Sequence, residues 1–177
     1  MTEPEFSRPV RIDTLGEAPR AMAVAARPGE LAALARRYGL LALDRLTAEL
    51  ALGRSGAQID LGGTLRAEVV QACVASGAPV PTTLIVPFDI IFRPQPAAGG
   101  ADEEVELSEG ELDVDFYDRA EIDVGEAVAE TLALNLDPWP RAPDAEAALR
   151  AAGVKREGEE EKGPFAALAG LKDKLGK

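Results

Sequence analysis

The stretch TTLIVPFDIIFR, residues 82–93, decides the fold, because its side chains alternate with the two-residue period of a β-strand. Every second residue is apolar and lies on one face, opposite Asp89 and Arg93: Leu84, Val86, Phe88, Ile90 and Phe92. Pro87 has no amide hydrogen to donate, so we expect this strand at a sheet edge or at a bulge. A strand with one apolar face predicts a sheet that is packed against another layer.

Further strands are predicted on the N-terminal side of this stretch. Residues 7–15 and 21–26 are typical of short strands, and residues 42–52 alternate like a half-buried strand, with a helix as the alternative. Residues 57–75 predict one long strand, in which Gly62 and Gly63 indicate a kink or bulge. Because only a short turn-forming stretch separates residues 57–75 from 82–93, we expect these two strands to pair antiparallel.

An acidic region follows residue 93. Residues 94–110 combine proline, glycine and acidic side chains, which predicts a mobile loop. Residues 111–118, ELDVDFYD, then predict an acidic-faced strand with Leu112, Val114 and Phe116 on one face and Asp113, Asp115 and Tyr117 on the other.

Helices are indicated by their start and stop residues. Pro28 and Gly39 bound a short helix, and the residues 144–153 predict another. The main helix follows Asp123, which forms a predicted capping box with Glu126, and the Asp137-Pro138 pair ends it. Its inward stripe consists of Val124, Val128, Leu132 and Leu136.

These elements predict an α+β fold with an antiparallel sheet of about six strands, one main packed helix and short terminal helices. The sheet can roll toward a half-barrel. The predicted organisation is a single domain at 1–152, a charged linker at 153–163 and an amphipathic helix at 164–177. The stripe of Phe165, Leu168, Leu171 and Leu175 is too short to be stable alone in water, so it must dock on this domain or on a partner.

The composition excludes several classes of protein. The 177 residues include 31 acidic and 19 basic side chains, one cysteine and no histidine, for a net charge of −12. Without histidine there is no Ser-His-Asp or Cys-His catalysis and no HExxH zinc site. No signal peptide or membrane span is evident, so we expect a cytoplasmic protein without a membrane partner. We also expect no cofactor, because the glycine pairs at 62–63 and 99–100 match neither GxGxxG nor a P-loop.

The negative charge is concentrated in one part of the chain. Residues 101–137 hold fourteen acidic side chains and a single arginine, whereas the flanking regions are close to neutral. Such a field attracts cationic partners and repels phosphate backbones. The predicted partner-binding residues are acidic: Glu103, Glu104, Glu106, Glu109, Asp113 and Asp115. The alternative for residues 101–111 is a solvated acidic loop that only aids solubility.

Other chemistries are less well supported. Asp113, Asp115 and Asp118 suggest a hard cation, but the glycine and glutamate of an EF-hand loop are missing, so no metal site is predicted. No nucleophile or phosphate-binding glycine loop accompanies these carboxylates, and we expect no catalytic residues. Arg45, Arg66 and Arg93 on the predicted sheet could bind RNA, although few aromatic residues accompany them.

Three stretches, at 71–94, 121–143 and 164–175, together resemble the bacterial large ribosomal RNA subunit accumulation proteins, the YceD-like family. The first begins QACVASGAPVP, the second ends LDPWPRAP, and the third is PFAALAGLKDKL. The residues that carry the resemblance are Gln71, Cys73, Asp123, Glu126, Glu130, Asp137, Pro138, Arg141, Phe165, Leu168 and Leu171.

The chain departs from the family in its cysteines. The family's C-x-x-C pattern places its two cysteines at Val70 and Cys73, and only the second is present here. The family's cysteine cluster after the helix is replaced by residues 139–143, WPRAP. This chain therefore resembles a cysteine-poor branch, for which a zinc site is not supported.

The resemblance implies a non-enzymatic role in the synthesis, processing or stability of 23S ribosomal RNA. Combined with the local acidity, it predicts contact with a basic large-subunit ribosomal protein or the pre-ribosome, with 23S RNA reached directly or indirectly. Direct RNA binding by the arginine-bearing sheet face is the alternative, and the oligomeric state stays open.

Overall fold

The computed structural model describes residues 4–95, 114–118 and 120–154. In chain order its elements are β1 Pro9–Arg11, a 3-10 turn Ile12–Thr14, β2 Arg20–Ala25, α1 Pro28–Arg37, β3 Ala42–Ser55, β4 Gln58–Ala72, β5 Pro79–Pro94, β6 Val114–Tyr117, β7 Glu121–Asp123, α2 Val124–Leu134 and α3 Ala145–Ala151. The predicted α+β class is confirmed.

The main sheet has five strands in the order β2-β3-β4-β5-β6 and is open. Adjacent strands are antiparallel except β5 and β6, which pair in parallel. The prediction of one antiparallel sheet of about six strands is therefore wrong in two respects, since the sheet is mixed and β1 does not belong to it. Instead β1 pairs antiparallel with β7 in a separate two-stranded sheet.

Alternation predicted the long strands correctly. The apolar positions of β5 lie on the inner face, and β3 is a strand rather than the alternative helix. The expected edge position of Pro87 also holds, because the described part of β6 pairs only with Ile91–Pro94 of β5.

The predicted kink at Gly62 and Gly63 is wrong. Pairing of β4 with both neighbours runs through the two glycines without a shift, and the irregularity lies in β3 between Leu43 and Arg45. Gly63 instead permits close packing, because a Cβ atom there would stand 2.5 Å from the carbonyl oxygen of Glu49.

Helices α1 and α2 cover the inner face of the sheet. Val124, Val128 and Leu132 of α2 and Leu34 of α1 are completely buried, and they pack in one core with alternate residues of β3 and β4. Leu136 packs at the edge of the same core, as its position in the predicted stripe indicates. Gly39 follows α1 with φ of 64°, a conformation that glycine adopts at low cost.

The burial of β6 departs from the prediction at Phe116 and Tyr117, while Val114 is half-buried as expected. Asp115 pairs with the buried Phe92, so Asp115 and Tyr117 lie on the inner side, where Tyr117 packs against the core. Phe116, which we expected on the apolar face, is 52% exposed. The hydroxyl of Tyr117 donates a hydrogen bond to the carbonyl of Ala57 at 2.6 Å, which satisfies its polar end.

No helix among the described residues is both long and apolar enough to cross a membrane.

Candidate functional site

A cleft of about 390 Å³ lies between α2, β6 and the exposed edge of β5. We call it the acidic cleft. Its apolar lining comes from Val86, Phe88, Ile90, Val114, Ala127 and Leu134, and its polar lining includes Asp115, Glu130, Thr131 and Asn135. The described residues that line the acidic cleft include neither lysine nor arginine. Asp115, which was predicted from its charge, and Glu130, which was predicted from the resemblance, thus line the same cleft.

The two carboxylates of the acidic cleft are electrostatically linked. Partial burial raises the pKa of Glu130, and the negative charges of Glu126 and Asp115 raise it further against the opposing effect of Arg37. Asp89 also lines the cleft, but its carboxylate oxygen lies over Gly62 on the outer face of the sheet. A cation placed between Asp115 and Glu130 would therefore relieve their repulsion.

Ionic contacts beside the acidic cleft hold α2 in place. Arg37, at the end of α1, contacts Glu126 at 2.6 Å and Glu5 at 3.1 Å. The second carboxylate oxygen of Glu126 is buried without a hydrogen-bond partner among the residues described. Glu126 therefore forms an ion pair with Arg37. This ion pair replaces the second hydrogen bond of the predicted capping box, in which the Glu126 side chain would accept from the Asp123 amide.

Tyr38 adds a second link between the two helices. Its hydroxyl donates a hydrogen bond to the carbonyl of Ala129 at 2.9 Å. Burial raises the pKa of Tyr38 to about 12. The hydroxyl consequently stays protonated at neutral pH and keeps its role as donor.

Asp123 is the N-cap of α2. Its Oδ1 accepts hydrogen bonds from the backbone amides of Gly125 at 3.0 Å, Glu126 at 3.2 Å and Arg8 at 2.7 Å. Its Oδ2 accepts the hydroxyl of Ser7 at 2.5 Å. The predicted cap is confirmed, and the same carboxylate also ties the N-terminal segment to α2.

The first two stretches that carry the resemblance meet at a junction between the β4–β5 turn and the residues after α2. The side-chain amide of Gln71 donates to the carbonyl of Asp137 at 2.8 Å, and the amide of Val74 donates to the carbonyl of Pro140 at 2.9 Å. Trp139 remains 73% exposed at this junction. Pro138 lies beside it, and Arg141 forms an exposed ion pair with Glu146 at 3.1 Å.

Cys73 is buried in this junction and packs with Ala142 and Ala145. Hydrogen bonds from the backbone amide of Ala142 and the hydroxyl of Ser76 lower the pKa of the thiol to about 7, against the opposing effect of burial. Because one sulfur and a lining of alanines cannot supply the ligands of a tetrahedral zinc ion, the residues here do not fit that metal. Nor do the described residues elsewhere bring three potential metal ligands together.

The arginines proposed for RNA binding lie on the outer face of the sheet. Arg66 is directly opposite Thr47 and Ile85, and Arg93 is opposite Phe116. Arg45 lies 3.8 Å from Glu68. Acidic side chains therefore share this face with the arginines, and the described residues form no uniform basic surface there.

Several predicted site residues lie outside the described part of the chain: Glu103, Glu104, Glu106, Glu109, Asp113, Phe165, Leu168 and Leu171. Most of the predicted loop at 94–110, most of the predicted linker at 153–163 and the whole predicted helix at 164–177 also lie outside the described residues. Sequence reasoning missed Leu134 and Asn135 as lining residues. Leu134 could have been found from the sequence, because it is an apolar residue of α2 that lies outside the inward stripe and is therefore expected on the surface.

The family model for the large ribosomal RNA subunit accumulation protein YceD matches residues 61–172, which is more than half of the chain. The chain belongs to the YceD family. Searches of curated proteins and of solved structures return no match.

The YceD match begins within β4 and includes all the described residues of the acidic cleft and both halves of the junction. The elements β1 to β3 and α1 precede it, so Arg37, Tyr38 and Arg45 lie outside the matched range. The YceD name connects the family to the accumulation of large-subunit ribosomal RNA.

Proposed function

We propose that this chain is a cytoplasmic, non-enzymatic ribosome-biogenesis factor that supports the synthesis, processing or stability of 23S ribosomal RNA. In this proposal it contacts a basic large-subunit ribosomal protein through its acidic surface. Membership of the YceD family supports the biological process, and the local charge supports the mode of contact.

The observation that carries the proposed contact is that Asp115 and Glu130 line the same cleft, whose described lining contains no lysine or arginine. Both carboxylates belong to the stretch 101–137, which contains the excess negative charge. A lysine or arginine from a partner would neutralise them, whereas an RNA phosphate would be repelled. The apolar lining of the same cleft favours a protein segment as the ligand.

Crosslinked affinity purification from cells, with and without RNase treatment, tests the proposal. We expect a large-subunit ribosomal protein to remain bound after RNase treatment. The double variant Asp115→Asn with Glu130→Gln should lose this protein, whereas Glu49→Gln, on the outer face of the same sheet, should retain it. Recovery of no large-subunit protein or RNA in any sample would contradict the function itself.

A second variant addresses the acidic residues outside the described chain. Neutralising Glu103, Glu104, Glu106 and Glu109 together should weaken the same contact, most clearly at low salt. Equal binding by this variant at low salt would restrict the contact to the acidic cleft.

Direct RNA binding remains the second candidate because Arg93 and the exposed Phe116 are neighbours on the outer face. An arginine beside an aromatic ring can stack on an unpaired base. This candidate predicts RNA retention on filters that falls steeply with salt and is lost when Arg45, Arg66 and Arg93 are substituted. Absence of salt-sensitive retention would eliminate it.

A further inference from the structure

Three large apolar side chains are exposed at the end of the main sheet where β3 begins and β4 ends: Leu41, Val74 and Trp139. The amide of Leu41 donates to the carbonyl of Val70 at 2.8 Å, and the amide of Val74 donates to the carbonyl of Pro140, next to Trp139, at 2.9 Å. Because Val70 and Val74 are four residues apart, their Cα atoms are separated by at most about 14 Å. The three exposed residues therefore belong to one region, which we call the tryptophan surface.

Trp139 is exposed, yet its backbone is firmly held. The Oδ1 atom of Asp137 accepts a hydrogen bond from the Trp139 amide at 2.9 Å. Pro138 and Pro140 flank the residue and restrict the backbone on either side. The side chain of Gln71 also fixes the carbonyl of Asp137. An exposed ring on a fixed backbone loses little conformational freedom when it binds, so Trp139 is suited to anchor a partner.

The charges around Trp139 favour a cationic partner. Asp137 and Asp144 are exposed and form no ion pair with any described residue, whereas Arg141 between them is already paired with Glu146. The C-terminal end of α2 carries the negative end of the helix dipole, and its last turn contains no basic side chain. An RNA phosphate would be repelled here, and a symmetric dimer would bring the same carboxylates face to face.

We propose that the tryptophan surface binds a segment of a basic protein in which an arginine or lysine is flanked by apolar side chains. The cation lies over the ring of Trp139 beside the carboxylate of Asp137, and the apolar side chains cover Val74 and Leu41. This surface is separate from the acidic cleft, whose described lining includes none of these residues. That the partner is a large-subunit ribosomal protein rests on the proposed function, whereas the binding of a basic segment does not.

Fluorescence of the purified full-length chain tests the binding, because Trp139 is its only tryptophan. Excitation at the red edge of the absorption band, where tyrosine does not absorb, reports on this residue alone. The probe is a synthetic hexapeptide of alternating leucine and arginine with blocked ends. We expect a saturable shift of the emission to shorter wavelength as the peptide covers the ring. The same peptide with glutamate in place of arginine, and a uridine oligonucleotide, should leave the emission unchanged.

Matched charge removals test the assigned carboxylate. Asp137→Asn keeps the oxygen that accepts the Trp139 amide, so the turn is preserved while the charge is lost. This variant should bind the arginine peptide about threefold more weakly, as for one exposed ion pair. Asp60→Asn removes the same charge near the start of β4, at the opposite end of the sheet, and should leave the affinity unchanged. Circular dichroism checks that both variants are folded.

A neutral peptide tests the role of the cation. The peptide with glutamine in place of arginine keeps the apolar side chains but loses both the ion pair and the contact with the aromatic ring. It should bind the unaltered chain about tenfold more weakly than the arginine peptide does. Equal affinity for the two peptides would contradict recognition of a cation.

Other outcomes would also overturn the inference. These are an unchanged emission with the arginine peptide, an equal change with the glutamate peptide, and equal losses in Asp137→Asn and Asp60→Asn. A saturable change with the oligonucleotide alone would assign Trp139 to RNA instead.

The two hypotheses fail separately. Binding of the arginine peptide at Trp139 without recovery of any large-subunit protein or RNA from cells contradicts the proposed function alone. Recovery of a ribosomal protein by a chain whose emission does not respond to the arginine peptide contradicts the binding at the tryptophan surface alone.

Discussion

Replacement of Asp123 by alanine should destabilise the domain strongly, because one carboxylate joins the start of α2 to the N-terminal segment. The variant loses the helix cap, worth about 1 kcal/mol. It also loses the hydrogen bonds from the amide of Arg8 and the hydroxyl of Ser7, each worth about 1 kcal/mol. We expect the free energy of unfolding to fall by about 3 kcal/mol in total, measured by urea denaturation followed by circular dichroism.

Asp123→Asn is the matched control. The three backbone amides all donate to Oδ1, which asparagine retains, and the Ser7 hydroxyl can reorient to accept from the new side-chain amide. We therefore expect this variant to lose less than about 1 kcal/mol. A loss below about 0.5 kcal/mol in the alanine variant, or equal losses in the two variants, would refute the reasoning.

Three further predictions concern the helices around the acidic cleft. Gly125→Ala should lower the free energy of unfolding by about 2 kcal/mol in urea denaturation, because the new Cβ would collide with the backbone of the N-terminal segment. Gly29→Ala, at a position with open space around it, should change that free energy by less than about 0.5 kcal/mol. Similar losses in the two variants would contradict the predicted collision. Glu130→Gln should raise the melting temperature at pH 7, because the raised pKa of Glu130 means that the folded state disfavours its charged form. The gain should vanish below pH 4.5, the ordinary pKa, where Glu130 is protonated in the folded and the unfolded protein alike. A gain that persists at pH 4 would count against the mechanism. Tyr38→Phe should lower the free energy of unfolding by about 1 kcal/mol through loss of the hydrogen bond to Ala129. The same variant should lack the tyrosine ionisation near pH 12 in an ultraviolet titration. An unchanged titration would assign that ionisation to another tyrosine.

The faces of the long strands could be predicted from sequence because alternation depends only on which residues are apolar. Strand direction could not, because the same alternation fits parallel and antiparallel neighbours. The error at Phe116 and Tyr117 has a related cause. Tyrosine can bury its ring while its hydroxyl reaches a carbonyl, here that of Ala57, so the more apolar phenylalanine does not have to take the inner position.

The candidate site was only partly predictable. The sequence indicated Asp115 and Glu130 separately, but their meeting depends on β6 pairing in parallel with β5 beneath α2. The glycine pair in β4 allowed either a bulge or close packing, and only the position of the Glu49 carbonyl decides between them. Such information is non-local, and short sequence patterns do not contain it.

The pairing of β1 with β7 has a consequence for synthesis of the chain. The amide of Arg8 bonds to a carboxylate 115 residues later, and Phe6, beside it, is completely buried in the finished domain. At about 5 to 20 residues per second, the ribosome needs about 6 to 23 s to add those residues. Throughout that interval Phe6 has no partner in α2, whereas β2, β3 and β4 can already pair with one another. The N-terminal segment therefore closes the domain last, although it is made before the strands of the main sheet.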